Sequence, residues 1–424
     1  MAKTPEELFK ERAKRVDDAI HLRMPDRIPI VPDAEFFPLK YAGVTVQEAM
    51  YNYDRAYYAW KKTVSDFDWD EYVAPFLYSA TVMDYLDYKQ LRWPGHGVAP
   101  THPYQFVEPG QRLEGREIYP PMSPEDYDWF LDDPSDYMIR SYFPKIAGAL
   151  APLSKLPPIH GVICWYQGIF EMLATIGQPD MLAAFEALGK AAAEAYRWFG
   201  SVIKFVGDMA AMGYPTFTLT ASHAPYDYLA NFLRGTTGAM VDMYRNPEKL
   251  LKACEKITPW MIQAGVDGAK ASGVPVVSIF LHKAFAGMMS QEQFKTFYWP
   301  TLRKVIMGII DNNLIPYIYT EGDYTERLEV IRDVPRGKVV YHVERDLFKA
   351  KEILGDICCL TGGPPNSLLI SGSPNEVEAY CQKLIDIVGK GGGYIVDPEI
   401  PMIDENPRNV KVMTDYFRKH GVYG

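Results

Sequence analysis

Pro316-Tyr317-Ile318-Tyr319-Thr320-Glu321-Gly322-Asp323 and Lys338-Val339-Val340-Tyr341-His342 are short β-branched and aromatic runs bounded by Pro, Gly or charge, with a helix-like stretch between them. Six further runs share this character: Arg27–Val31, Ile159–Cys164, Pro215–Thr220, Pro275–Leu281, Ile357–Thr361 and Gly393–Val396. Amphipathic segments lie between them, among them Phe170–Val206, Leu229–Ser272, Gln291–Asn312 and Pro374–Val388. Strand and helix thus alternate along the chain, which implies a parallel sheet covered by helices. Eight such units, with no G-x-G-x-x-G after any strand, predict the α/β class and a (β/α)8 TIM-type barrel rather than a doubly wound dinucleotide fold. The stretch 41–156 breaks the alternation. It is punctuated by Pro and Gly and dense in Tyr, Trp and Asp, and it reads as a helical and loop insertion between the first and second strands, either a lid or a subunit contact that would make the protein a homodimer. The whole chain, 1–424, is then one elaborated barrel.

The composition agrees with this and narrows the function. Apolar residues at 48% and charged residues at 23% suit a globular chain with a large core. A net charge of −10 without a Lys/Arg run argues against nucleic acid as a partner. No stretch approaches 18 consecutive apolar residues, so a membrane span is not expected. The five cysteines are scattered without a C-x-x-C, which points away from a disulfide framework and toward a reducing cytoplasm. The 29 tyrosines exceed what core filling asks for.

In a barrel of this type the reacting groups stand just past the C-terminal ends of the strands. The first run is followed by Asp33, Glu35, Phe36 and Phe37, the second by Trp165 and Tyr166, and the third by His223. The fourth is followed by His282, Phe285 and Met288, the fifth by Glu321 and Asp323, the sixth ends on His342, and Glu399 follows the eighth. Imidazole and carboxylate without thiolate are ligands for zinc or a harder divalent metal. Each taken alone also reads as a loop residue or helix cap. His342 is the sharpest case, because it ends an apolar strand where a polar side chain must find a partner or be satisfied within the core.

The stretches Arg15 to Ile20 and Met24-Pro25-Asp26-Arg27-Ile28-Pro29-Ile30 resemble the opening of the uroporphyrinogen decarboxylase superfamily. The similarity continues at Ser290 to Phe294, Trp299-Pro300, Asp346 to Gly355, Gly362-Gly363-Pro364-Pro365, Gly372 to Val377 and Asn406 to Val410. It covers most of the chain from Arg15 on, except 41–156. The superfamily holds decarboxylases and zinc-dependent methyltransferases of corrinoid systems. The decarboxylases' L-R-Q-A-G-R signature is missing; the acidic and aromatic Asp33 to Phe37 stands after the first strand and would repel a polyanionic tetrapyrrole.

The resemblance to the methyltransferases implies a zinc site. Their H-x-C-G after the fifth strand corresponds to Tyr319-Thr320-Glu321-Gly322, and their last Cys falls near Glu399, so carboxylates replace both thiolates. The Glu321-to-His342 spacing also resembles part of the zinc motif of aryl-ether O-demethylase methyltransferases, although Ile306 stands where that motif has a further Glu. What the resemblance implies is zinc on Glu321, His342 and Glu399, with His282, Tyr319 and Asp323 as proton donors or orienting groups. Asp33, Glu35, Phe36, Phe37, Trp165, Tyr166, His223, Phe285 and Met288 would receive a methoxylated aromatic. The methyl group would pass to the cobalt(I) of cobalamin carried by a separate corrinoid protein. A metal-independent decarboxylase or lyase, a methyltransferase acting on a methylated amine or thiol, and a barrel that only binds an aromatic ligand are the alternatives.

Overall fold

The computed structural model describes residues 3–424 except Phe76, 109–111, 114–115 and 118–119. The Pro109-Gly110 turn of the insertion therefore lies outside the described residues. The barrel strands are β1 (29–31), β2 (Tyr72–Val73), β3 (Thr216–Thr218, resuming as Thr220–His223), β4 (Val276–Leu281), β5 (Ile315–Thr320), β6 (Val340–His342), β7 (Cys359–Gly362) and β8 (Tyr394–Val396). Strands β3 to β8 pair in parallel in sequence order. The ring is completed by Ile30 against Val396, by the Asp70 amide donating to the Ile30 carbonyl, and by the parallel pairing of Tyr72–Val73 with Thr216–Thr218. This is the TIM-type arrangement that the alternation predicted.

The second strand is a correction. Ile159–Cys164 is a 3-10 helix, and Tyr72–Val73 takes its place in the ring. The helices 37–67 do follow the first strand, but 41–156 is divided by β2. The longer excursion runs from β2 to the 33-residue helix Pro179–Ala211, which leads into β3. Periodicity cannot separate a six-residue apolar strand from a helical turn, and two residues flanked by Asp70 and Glu71 give no periodic signal at all.

Several of the family-like motifs are structural. Arg15 and Arg27 both grip the buried Asp70, which also accepts from the Ile30 amide, so the Pro25–Ile30 stretch bolts β1 to β2 at the N-terminal end of the barrel. Ser290 and Ser373 open capping boxes at the helices that begin Gln291 and Pro374, each satisfying a free amide of a helix N-terminus. Asn409 ties helix Pro407–His420 to the carbonyls of Leu369 and Gly372. The barrel interior is filled by Val31, Phe217, Val276, Tyr317, Tyr319, Val340, Cys359 and Ile395. Among the described residues, no helix is long and apolar enough to cross a membrane.

Candidate active site

Every barrel strand but β2 and β7 delivers an ionisable side chain to the C-terminal mouth: Asp33 and Glu35 after β1, His223 on β3, His282 after β4, Glu321 after β5, His342 on β6, and Asp397 after β8. At the centre, His282 Nε2 stands 3.3 Å from Glu321 Oε1. The other ring nitrogen of His282 is 2.6 Å from Asn231 Nδ2, and its backbone amide donates to the fully buried Asp227. Burial opposes the charge on His282, yet the Glu321 carboxylate beside it outweighs that and raises its pKa. Glu321 in turn is held below the usual carboxylate range: burial works against this, and His282, Lys283 and His342 together prevail.

The mouth is short of partners for its polar groups. His342 is fully buried and its ring stacks on Tyr319 at 4.0 Å, but neither ring nitrogen reaches a well-formed hydrogen bond. Its closest ionisable neighbour is Asp397, at 3.8 Å. Burial drives its pKa down to about 4, against smaller opposing effects of the backbone at Pro398 and Thr320 and of Glu321. His223 Nδ1 and the Tyr319 hydroxyl are likewise buried without partners. Burial, followed by the proximity of His282, lowers His223 to about 4, so two of the three imidazoles stay neutral and keep a lone pair at neutral pH.

A second group faces them from β1. The Asp33 amide donates to Asp397 Oδ1 at 2.8 Å, and the Asp33 carboxylate accepts from the Glu35 amide at 3.3 Å. Glu35 has a φ of +26°, in the left-handed region that non-glycine residues seldom adopt. Burial, then Asp33, then Glu321 raise its pKa to about 8, while burial raises Asp33 to about 6. Beside this acid pair, Tyr104 meets Phe36 edge-on at 5.3 Å and Tyr78 at 5.0 Å, and both tyrosines feel the charge of Glu35. Asn231, Asp397, Tyr78 and Tyr104 were not foreseen as site residues. The two tyrosines lie in the insertion, where no strand end points to them; Asp397 stood at a strand end but was passed over for Glu399.

The remaining candidates are distributed differently. Phe285 lies at the mouth against Gly322, where a Cβ would sit 2.8 Å from its ring and where φ is +104°. Met288 follows it in the same half-buried turn. Phe37 is core, packed on Tyr41 and Phe67. Asp323 is exposed and accepts from the Thr325 amide at 2.9 Å, the work of a turn residue. Trp165 and Tyr166 are exposed and meet each other, with no other ring contact or hydrogen bond of their side chains among the described residues. Glu399 lies 3.9 Å from Arg345, and burial raises its pKa, with Arg345 and Glu344 the charges that act on it.

Among the described residues, no three His, Cys, Asp or Glu side chains are already gathered as a metal cage. The donor chemistry around Glu321 nonetheless fits a divalent ion: a carboxylate touching one imidazole, with the unpartnered nitrogens of His342 on the adjoining strand β6 and of His223 on β3. Glu399 stands outside that group.

The family model for uroporphyrinogen decarboxylase matches residues 179–420, more than half of the chain. Similar curated proteins include the uroporphyrinogen decarboxylases of Chlorobium luteolum, 24% identical over 182 residues (42% of this chain, 51% of the relative), and of Aromatoleum aromaticum, 24% identical over 247 residues (57% and 66%). The chain thus spans about half to two thirds of the length of these relatives. Among solved structures, a methyltransferase from Methanosarcina mazei is similar with a TM-score of 0.58 and 14% identity, covering 96% of this chain and 98% of that one, a likeness of fold. With a barrel of this topology and a family match over its C-terminal half and beyond, this chain belongs to the uroporphyrinogen decarboxylase family.

Proposed function

We propose that this protein is a cytoplasmic methyltransferase that takes the methyl group of a methoxylated aromatic compound and passes it to the cobalt of a reduced corrinoid protein docked at the mouth of the barrel. The observation that carries the reading is the juxtaposition at that mouth of the half-buried Glu35 carboxyl, whose pKa burial and the neighbouring acids raise to about 8, with an aromatic wall of Phe36, Tyr78 and Tyr104 and the Glu321–His282 pair. An aryl ether needs such a set. Its ring takes a flat apolar slot, and its oxygen must be stabilised as it departs from the methyl carbon, by a proton or by a cation.

Glu35 would give that proton, and Asp33 would take up its replacement. His282 orients Glu321 and is itself fixed by Asn231 and Asp227. Glu321 and His342 would hold zinc, with His282 or His223 in the place first expected for Glu399; bound there, the ion would act as a Lewis acid on the departing oxygen. Among the described residues no Arg or Lys acts on Asp33 or Glu35, which favours a ring without several carboxylates over a porphyrinogen.

The test is a screen of methoxyarenes with reduced corrinoid protein, read by the cobalt absorbance change. Methyl transfer to cobalt with release of the phenol supports the reading. Turnover of a carboxylated substrate without corrinoid protein, unaffected by chelator, would replace it with a metal-independent decarboxylase or lyase. Elemental analysis addresses the ligands: zinc is expected to fall well below one per chain in Glu321→Ala and His342→Ala, and full occupancy in both rules out this assignment.

A further inference from the structure

Helix Pro179–Ala211 has two apolar faces where a barrel helix needs one. The inner face buries Met181, Ala184, Ala191, Phe205 and Met209 against the protein. On the outer face, Leu182, Phe185, Tyr196, Phe199 and Ile203 are exposed at 52, 40, 84, 57 and 69%. With the exposed Gly189 and Ala192 between them, these residues recur at alternating steps of three and four, the heptad seam along which two helices pack.

The glycines add an independent signal. Gly189 and Gly200 lie inside the helix, where Gly costs about 1 kcal/mol relative to Ala. Nothing within 4 Å would meet a Cβ at either position, so the chain's own packing gives no reason for them. A glycine on an exposed helix face allows another backbone to approach closely.

The order of sizes along the seam selects the occupant. Large residues flank small ones, and the pairs 182 with 199, 185 with 196 and 189 with 192 share one midpoint. An antiparallel copy of the same helix therefore sets Leu182 and Phe185 on Phe199 and Tyr196, with Gly189 against Ala192 where the backbones are closest. That is the self-complementarity of a two-fold interface. Of the charged residues flanking the seam, Glu186 pairs with Lys190 of its own helix and Glu194 is turned inward to the Tyr53 hydroxyl, so neither needs a charged partner on the other copy. At ~150–250 Å² per large apolar or aromatic side chain, the exposed seam by itself presents roughly 600 Å² of apolar surface, the greater part of what one partner of a stable dimer buries. A monomer carries patches of a few hundred, and a stable dimer needs about 800 Å² per partner.

We propose that two copies of this chain pair through the outer face of helix Pro179–Ala211, antiparallel about a two-fold axis between Gly189 and Ala192. Sedimentation of the full-length protein should give twice the chain mass of 48.2 kDa. Gly189→Leu and, separately, Tyr196→Asp should weaken the dimer about 30-fold or more, as loss of a central contact does, with the circular dichroism spectrum and melting unchanged or improved, because Gly189→Leu projects into open space. Gly189→Cys chains mixed with Ala192→Cys chains should form disulfide-linked dimers on oxidation, whereas Phe199→Cys chains should not link to one another. A wild-type monomer at all accessible concentrations, a dimer indifferent to both substitutions, or cross-linking through Phe199→Cys overturns the proposal. So does a monomer that uses Tyr196 to hold a corrinoid protein instead.

Discussion

At the N-terminal end of the barrel, Asp70 accepts four hydrogen bonds, from both nitrogens of the Arg27 fork, from Arg15 and from the Ile30 amide, and its charge is matched on every side. At the C-terminal end, Asp33, Glu35, Asp397 and Glu321 crowd together while the nitrogens of His342 and one of His223 lack partners. The same ring of strands carries both ends. The Asp70 cluster is paired and holds strands together; the mouth keeps several polar groups without partners, which costs stability and leaves donors and acceptors free for a ligand.

This contrast can be broken most severely at Asp70. Asp70→Ala strips the half-buried Arg27 of its carboxylate and the Ile30 amide of its acceptor, while Arg15 keeps Asp26 and Glu11, and a loss of about 3 kcal/mol is expected in urea unfolding. At the mouth the effects should reverse. Glu321→Ala should lower methyl transfer by about 10²–10³-fold, the scale of losing one group that stabilises developing charge, while unfolding free energy stays within about 1 kcal/mol of the parent. A matching loss of stability would mean that the mouth is built as the other end is.

Gly322→Ala sharpens the comparison further. The new methyl would press on the Phe285 ring with φ at +104°, so a loss of roughly 1–3 kcal/mol is expected in thermal unfolding. The smallest effect concerns pH. Asp33 and Glu35 bind their protons more tightly folded than unfolded, with values raised to about 6 and about 8. Unfolding therefore releases protons above their ordinary values near 4, and native stability falls as pH rises from there toward 8, after which the penalty is constant. Glu35→Gln should flatten this slope, which for one group cannot exceed about 1.4 kcal/mol per pH unit.

The alternation of runs gave the barrel and seven of its strands because each of those runs is long enough to carry a β-branched, apolar signature between Pro or Gly breaks. It also placed Asp33, Glu35, His223, His282, Glu321 and His342 at one mouth, since in a parallel ring all strands end on the same side. Side-chain partners were another matter. Tyr78 and Tyr104 reach Phe36 and Glu35 from an insertion whose path no local pattern encodes, and Glu399, apt by spacing, is drawn to Arg345. Trp165 and Tyr166 were assigned to a strand end that does not exist. The true second strand is two residues long, and it is recognised only through its pairing with Thr216–Thr218 and through Asp70 meeting Ile30, Arg15 and Arg27 from other parts of the chain. Sequence by itself determined which residues form the strands with strong periodicity and which chemistry lines one end of them, because periodicity and strand ends are local properties. Which charges are paired, which imidazoles are left without partners and which apolar face of the long helix is left uncovered were decided only by the tertiary structure, because each depends on what distant segments bring within a few ångströms.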